Sequence, residues 1–338
     1  MVSRFTTELV EDGGLAASGT DFFRSVQFLE AEGATHSLLI FESESESEPV
    51  ALAPLLVREI PGSDRSDGIS PYGYPGLAIS RGSLSRPDLP LDPVTIDFSG
   101  TGLVSIFLRH SISGGPPVNG APSLAEATPR NVCLLSDPTL PRKSRASDRQ
   151  QIRKNLNRGC SIEITPGPKT SHEQRAGFFA AYTETMTRTS AADRYFFSQQ
   201  YFDLILSAES TWLFLLRTPG EGVEAGTDRP VAAASIAALS DGLLHYYLSG
   251  TADAHLKGAP MKNVIEEMIG FAAERDLAVN FGGGITPGDA LEEFKRGFAN
   301  REVQWFTSEL ICDPEAAAAL TGKLSPDNDP GFFPPYRA

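Results

Sequence analysis

A two-domain α/β protein is the architecture this sequence predicts, and three observations predict it. The 338 residues are enough for two ordinary cores. Apolar runs of strand character alternate with segments of helical periodicity along the whole chain. The order helix, antiparallel strands, helix, strand occurs in both halves, which points to a duplicated α/β unit although no sequence repeat is visible. The expected domains are 1–145 together with a returning tail of about 312–338, and 146–311.

Asp21 to Glu32 reads as a short helix with Phe22, Val26 and Leu29 on one face. "HSLLIFES" and "EPVALAPLLVREI" read as strands joined by the acidic loop "ESESESE" (Glu42–Glu48), which is too polar to pack. "GISPYGYPGLAI" is an irregular strand, Thr101–Ile112 is expected to be helical, Ser113–Ser123 is a Pro/Gly loop, and "NVCLLSD" is a strand. Ser147 to Arg158 carries a helix-start signal, Ser147 with Gln150 three residues on, and Gly159 follows its end. Its aliphatic residues are Ile152 and Leu156, a stripe so narrow that most of the helix should face water or a partner.

The second domain is expected to continue with strand "CSIEIT", a helix over His172–Arg188, a helix in "SQQYFDLILSA" and a buried strand "TWLFLLR". Asp241-Gly242 is a two-residue hairpin signal between "RPVAAASIAAL" and "GLLHYYLSG". Pro260 opens a helix with Val264, Ile265, Met268, Ile269 and Ala272 on one apolar face. "LAVNF" and "EVQWFTSELI" are further strands, and the turn-rich tail is expected to return to the first domain.

Composition excludes several classes. A net charge of −14 argues against non-specific coating of nucleic acid. The longest apolar runs are too short to span a bilayer, no secretory signal opens the chain, and Cys133, Cys160 and Cys312 have no CxxC spacing. The expectation is a cytoplasmic protein without a metal or a stable protein partner. HExxH, GxSxG and Walker A sequences are all absent. Against this acidic background, "RKSRASDRQQIRKNLNR" gathers seven Arg or Lys around one Asp. Such a patch can meet phosphates because distant charges are screened beyond roughly 8–10 Å.

"NFGGGITPGDALEEFKRGFA" (Asn280–Ala299) is the stretch with the most specific chemistry. Its glycines do not form G-x-G-x-x-G, so a dinucleotide turn is not indicated, and a close helix–strand packing joint is the plain reading. After them Thr286 can cap a helix, Pro287 suits its first position and Asp289 completes a capping-box-like pattern. Leu291, Phe294 and Phe298 then fall on one buried face with Lys295 at its edge. Read by itself, Lys295 is a solvated helix lysine.

Val231–Phe298 resembles the core of the GNAT acyltransferase fold, and Arg149–Leu310 resembles the second domain of the Fem-type aminoacyltransferases. Those proteins pair two GNAT-like domains and join an amino acid, taken from charged tRNA, to an amine. The resemblance is carried by "RKNLNRGC", "TETMTRTSAADRYFFSQQYF", "HYYLSGTADAHLKGAPMKNVIEEMIGFAAE" and "FGGGITPGDALEEFKRGF", with "SPYGYPG" in the first domain. It implies two tandem GNAT-like domains, each a mostly antiparallel mixed sheet flanked by helices, and transfer to a peptidoglycan precursor or specialised metabolite. It also implies that Lys295 of the Phe294-Lys295 pair supplies a fixed cation to the oxyanion of acyl transfer. Arg188, Arg194, Tyr195 and Tyr247, with Tyr72 and Tyr74, are the candidate acceptor residues.

Arg149, Arg153 and Asn157 recur every four residues, as do Lys154 and Arg158 on a neighbouring track, a face suited to a tRNA acceptor stem or to a solvated linker. Lys257 and Lys262 lie in "SGTADAHLKGAPMK", where acetyl-CoA-using relatives carry Q/R-x-x-G-x-G/A and this chain does not. Aminoacyl-tRNA is therefore the expected co-substrate and no cofactor is implied; an acyl-CoA donor is the alternative, and a silent GNAT-like binding module is the third class. His245 reads either as a general base or as a satisfied core histidine.

Overall fold

The computed structural model describes residues 4–17, 21–43, 48–79, 95–112, 128–219, 229–322 and 332–337. The Pro/Gly loop at 113–123, the middle of the acidic loop and most of the tail lie outside these residues. The chain divides into two compact units, one of residues 1–19, 23–130 and 304–338 and one of residues 20–22 and 131–303. The sequence reading had set its divisions near 145 and 311.

The first unit contains β1 (Phe5–Val10), α1 (Val26–Glu32), β2 (His36–Glu42), β3 (Ala51–Glu59), β4 (Ser66–Ile69), β5 (Ala78–Ile79), β6 (Ile96–Asp97) and β7 (Ser105–Arg109). Its sheet is mixed: β1–β2, β2–β3 and β3–β4 pair antiparallel, whereas β6 joins β1 and β7 joins β4 in parallel. Three expectations are corrected here. Thr101–Ile112 is not helical; Ile106 and Leu108 point into the core while Phe107 and Arg109 are half-exposed, an alternation of period two. Pairing with strands on both sides decided this segment. The α1 face is Phe28 and Leu29, and Val26 is exposed, because Ser25 starts the helix by accepting from Phe28 N. The irregular strand at 68–79 resolves into β4 and β5 with an extended break between them.

The second unit contains β8 (Thr128–Ser136, counted from Asn131), α2 (Ala146–Asn157), β9 (Ser161–Pro166), α3 (His172–Arg188), α4 (Gln199–Ile205), β10 (Thr211–Arg217), β11 (Val231–Ser240), β12 (Leu243–Thr251), α5 (Met261–Ala273), β13 (Ala278–Asn280) and α6 (Ala290–Arg296). Strands β9 to β12 form an antiparallel run; β13 joins β12 in parallel and β8 antiparallel. The β11–β12 turn places Asp241 and Gly242 at φ 49° and 75°, the left-handed conformation this hairpin needs. All five predicted apolar residues of α5 are buried against β10, β11 and β13. Burial of each of the four larger side chains, Val264, Ile265, Met268 and Ile269, stabilises by roughly 1.5–3 kcal/mol. Helix α3 packs so closely on β12 that a Cβ on Gly250 would lie 2.3 Å from the Ala181 carbonyl oxygen.

Helix α2 begins at Ala146 behind Arg145, not at Ser147, and its Leu156 is exposed while Ile152 is buried. Strand β14 (Arg301–Ile311) begins in the second unit and from Gln304 belongs to the first, where Thr307–Ile311 pairs antiparallel with β7 and α7 (Pro314–Thr321) follows. Of the described tail, Tyr336 is buried in the first unit with its hydroxyl 2.6 Å from Ser105 Oγ, and Arg337 Nε donates to Asp67 at 2.5 Å. Among the described residues no helix is long and apolar enough to cross a membrane.

Candidate functional site

Strand β13 ends at Asn280, whose side-chain oxygen accepts from Gly282 N at 2.9 Å. Phe281 N donates to Leu134 O and Leu134 N to Gly282 O, so the start of the glycine run is laced to β8. Gly282 takes φ 69°, which a side chain disfavours, and a Cβ on Gly283 would sit 2.8 Å from Val132 O. The glycines are thus a packing joint, as the plain reading had it. They also leave one carbonyl, that of Gly283, facing back toward the helix.

Asp289, not Thr286, caps α6, accepting from Glu292 N at 2.7 Å, so the helix is only seven residues long. The predicted apolar face is corrected too. Leu291 is 41 % exposed, Phe294 is half-buried at the edge of the core with its ring 5.7 Å from Phe298, and Lys295 itself is buried at 8 % exposure. Lys295 Nζ donates to Gly283 O at 2.6 Å. Burial pulls its pKa down from 10.5 to about 8, while Cys133, Asp289 and Glu292 act in the opposite sense. A buried ammonium held by a neutral carbonyl keeps its positive charge available to a developing anion.

The basic helix meets this region. Arg145 donates to Glu293 O at 3.0 Å, and Asp148 Oδ2 lies 3.1 Å from where a Cβ on Gly297 would be. Arg149, Arg153, Lys154 and Arg158 are all exposed, and no carboxylate partner is found for them among the described residues. Lys262 differs from its group: Nζ binds Asp148 Oδ1 at 2.7 Å, with Asp148 almost fully buried, so it ties α5 to α2. Asn155 reinforces the joint by donating to Asn263 Oδ1 and Gly258 O. Lys257 is exposed in the turn before α5. An open cleft of about 440 Å³ in this unit is lined by Pro141, Arg142, Lys143, Arg296 and Arg301 among others; Lys295 is not in its wall, but its neighbour is.

The candidate acceptor residues lie on elements other than α6, four of them in the second unit and Tyr72 and Tyr74 in the first. Arg188 ends α3 and is ion-paired with Asp253, also donating to Thr251 O at 3.2 Å. The Arg194 guanidinium lies 5.0 Å from the centre of the Tyr195 ring, in the turn after α3. Tyr247 and Tyr201 share a hydrogen bond of 2.7 Å. A bulge causes this: Ala237 pairs with Tyr246 but Ile236 with Leu248, so Ser249 reaches the Tyr246 hydroxyl while Tyr247 turns to Tyr201 and Phe22. Tyr72 and Tyr74 belong to the first unit, where Tyr72 lies under the Arg109 guanidinium and Tyr74 packs on Phe23 and Trp305.

His245 is a core residue. It is buried between Ser240 O and Asn280 Nδ2, and burial pulls its pKa down to about 4. Asp289, the Gly283 carbonyl and Asp148 were missed as site residues by sequence reasoning. Asp148 had a signal, as the one acid in the seven-cation segment.

Residues 142–296 match the family model described as an acetyltransferase (GNAT) domain. The second unit has a GNAT-type fold. This match spans less than half the chain. Among solved structures, FemX superposes with a TM-score of 0.61 at 12 % identity, covering 92 % of this chain and 99 % of its own. L-PGS from Bacillus licheniformis gives a TM-score of 0.52 at 11 % identity, covering 86 % and 89 %. A conserved protein of unknown function from Bacteroides thetaiotaomicron gives 0.50 at 11 %, covering 89 % and 92 %. At such identities the likeness is one of fold, and at that level the Fem-type resemblance read from the sequence holds. Comparison with curated protein sequences gives no match. The GNAT domain is an acyltransferase domain, and it contains Lys295, α2 and the glycine joint within its matched span.

Proposed function

We propose that the chain is an amide-forming aminoacyltransferase that moves an amino acid from charged tRNA to the amine of a small acceptor, a specialised metabolite or a peptidoglycan precursor. The observation that carries this reading is the buried Lys295 ammonium, held by the Gly283 carbonyl and by no carboxylate among the described residues. In the reaction the acceptor amine attacks the ester carbonyl and an oxyanion develops on the carbonyl oxygen. Lys295 stabilises that charge in a site that is already largely dry. Collapse of the adduct breaks the C–O bond to the tRNA ribose, whose oxygen takes up the proton lost by the amine. No separate base is required, in keeping with the core role of His245.

The exposed cations of α2, beginning beside the C-terminal end of α6, favour tRNA as donor because they can meet backbone phosphates without base readout. Acyl-CoA is the second reading, favoured by the acetyltransferase description of the matching domain. Against it, the β12–α5 connection lacks the pyrophosphate-loop pattern, and Lys262 in the first turn of α5 is engaged by Asp148. Incubation of a panel of amines with labelled aminoacyl-tRNA or with acyl-CoA separates the two. The reading predicts product from aminoacyl-tRNA; product from the thioester alone contradicts it, and product from neither would leave a binding module.

A further inference from the structure

The loop between β13 and α6 has an unusual support. Ile285 is 81 % exposed, so apolar burial does not hold the loop in place. Asp289 does so instead. Its Oδ1 accepts from Glu292 N at 2.7 Å, which caps α6, while its Oδ2 accepts from Ile285 N at 2.6 Å and Thr286 N at 3.0 Å. The three backbone donors hold the carboxylate below its usual pKa. The carboxylate comes so close that a Cβ on Gly284 would lie 2.5 Å from Asp289 Oδ1, so a glycine is needed there. On the other side, Gly282 is fixed by Asn280 and Leu134. Gly283 and Gly284 are the short span between these two anchors, and the Gly283 carbonyl is what receives Lys295 Nζ.

We propose that Asp289 is a positioning residue: by tying Ile285 and Thr286 to the first turn of α6, it fixes the Gly283 carbonyl and with it the Lys295 ammonium. The role of Lys295 in transfer is taken from the reading above, but the position of the ammonium is not. The groups that face Lys295 are Cys133 on β8 and Asp289 and Glu292 at the start of α6. If the loop loosens, water enters and the burial that depresses the lysine is relieved.

Two variants separate positioning from capping. In Asp289→Ser the hydroxyl can still cap by accepting from Glu292 N, but it does not also reach Ile285 and Thr286. In Asp289→Asn the amide group presents donors toward the loop N–H groups that the second carboxylate oxygen now accepts. Trace labelling of the full chain with acetic anhydride across pH, read at Lys295 by peptide mass spectrometry, gives the lysine's titration midpoint without any substrate. The wild type should titrate near 8. Loss of the Asp289 charge by itself lowers the midpoint, but burial is the largest cause of the depression, so Asp289→Ser should keep the wild-type melting temperature yet raise the midpoint as the loop admits water. Asp289→Asn should raise it similarly. Transfer by the Ser variant should fall about tenfold in kcat with KM for the donor unchanged, the pattern of a group displaced only from the transition state. A midpoint unmoved or lowered in both variants, the latter being what loss of the Asp289 charge alone gives, overturns the proposal, as does full wild-type turnover in the Ser variant. A raised midpoint in a protein that transfers nothing from tRNA upholds the role of Asp289 and removes the aminoacyltransferase reading instead.

Discussion

Lys262 and Lys295 are two lysines of the same unit with opposite arrangements. Lys262, at the start of α5, binds the almost fully buried Asp148 at 2.7 Å, and its charge is cancelled inside the fold. Lys295, near the end of α6, is more deeply buried yet rests on a carbonyl, and its charge is not cancelled. The difference separates a cation that ties two helices together from one whose charge has no carboxylate bonded to it among the described residues, better than burial does. A paired lysine holds elements together, whereas an uncancelled buried lysine costs stability that folding has to offset. Such a cost is tolerated where the charge has work to do on a substrate.

The comparison can be broken by replacing each lysine with methionine, which keeps most of the side-chain volume. Lys262→Met strands Asp148 without its partner and should cost roughly 3 kcal/mol in denaturant unfolding. Lys295→Met removes a desolvated charge and should leave stability unchanged or raised. Equal losses in the two variants would erase the distinction drawn here.

A pH series sharpens the same contrast. The Lys295 pKa is about 8 in the fold against an ordinary 10.5, so between these values the unfolded chain holds more protons than the folded one. Stability attributable to this residue therefore rises with pH from about 8 to 10.5 and is constant below 8. Subtracting the Lys295→Met curve from the wild type should reveal that rise, and a flat difference would show that the ammonium is solvated. The smallest effect concerns the exposed cations. Arg153→Glu with Lys154→Glu should weaken tRNA binding and reduce the slope of log affinity against log salt by about one per lost phosphate contact. An unaltered slope would mark α2 as a solvated linker.

The strands and longer helices of the second unit were legible because their periodicity is enforced by a core on at least one side. The five apolar residues of α5 and the Asp241-Gly242 hairpin are the clearest instances. Thr101–Ile112 was misread as helix because its strand character depends on partners distant in sequence, β4 and β14. The α6 boundary was misplaced because Thr286 and Asp289 are both credible caps, and only the folded loop shows that Asp289 serves both loop and helix. Lys295 was singled out by family resemblance, but its burial was not written in the sequence. The residue pattern placed Leu291 inside and the lysine at the edge, whereas α6 turns Leu291 outward and Lys295 inward.

The central claim, that the uncancelled charge of Lys295 drives acyl transfer, is tested most directly by single-turnover transfer from labelled aminoacyl-tRNA to an accepted amine, wild type against Lys295→Met. The account predicts a fall of about 10²–10³-fold in rate with the donor still bound, the size expected when a preorganised oxyanion partner is removed. A rate within a few-fold of the wild type would contradict it.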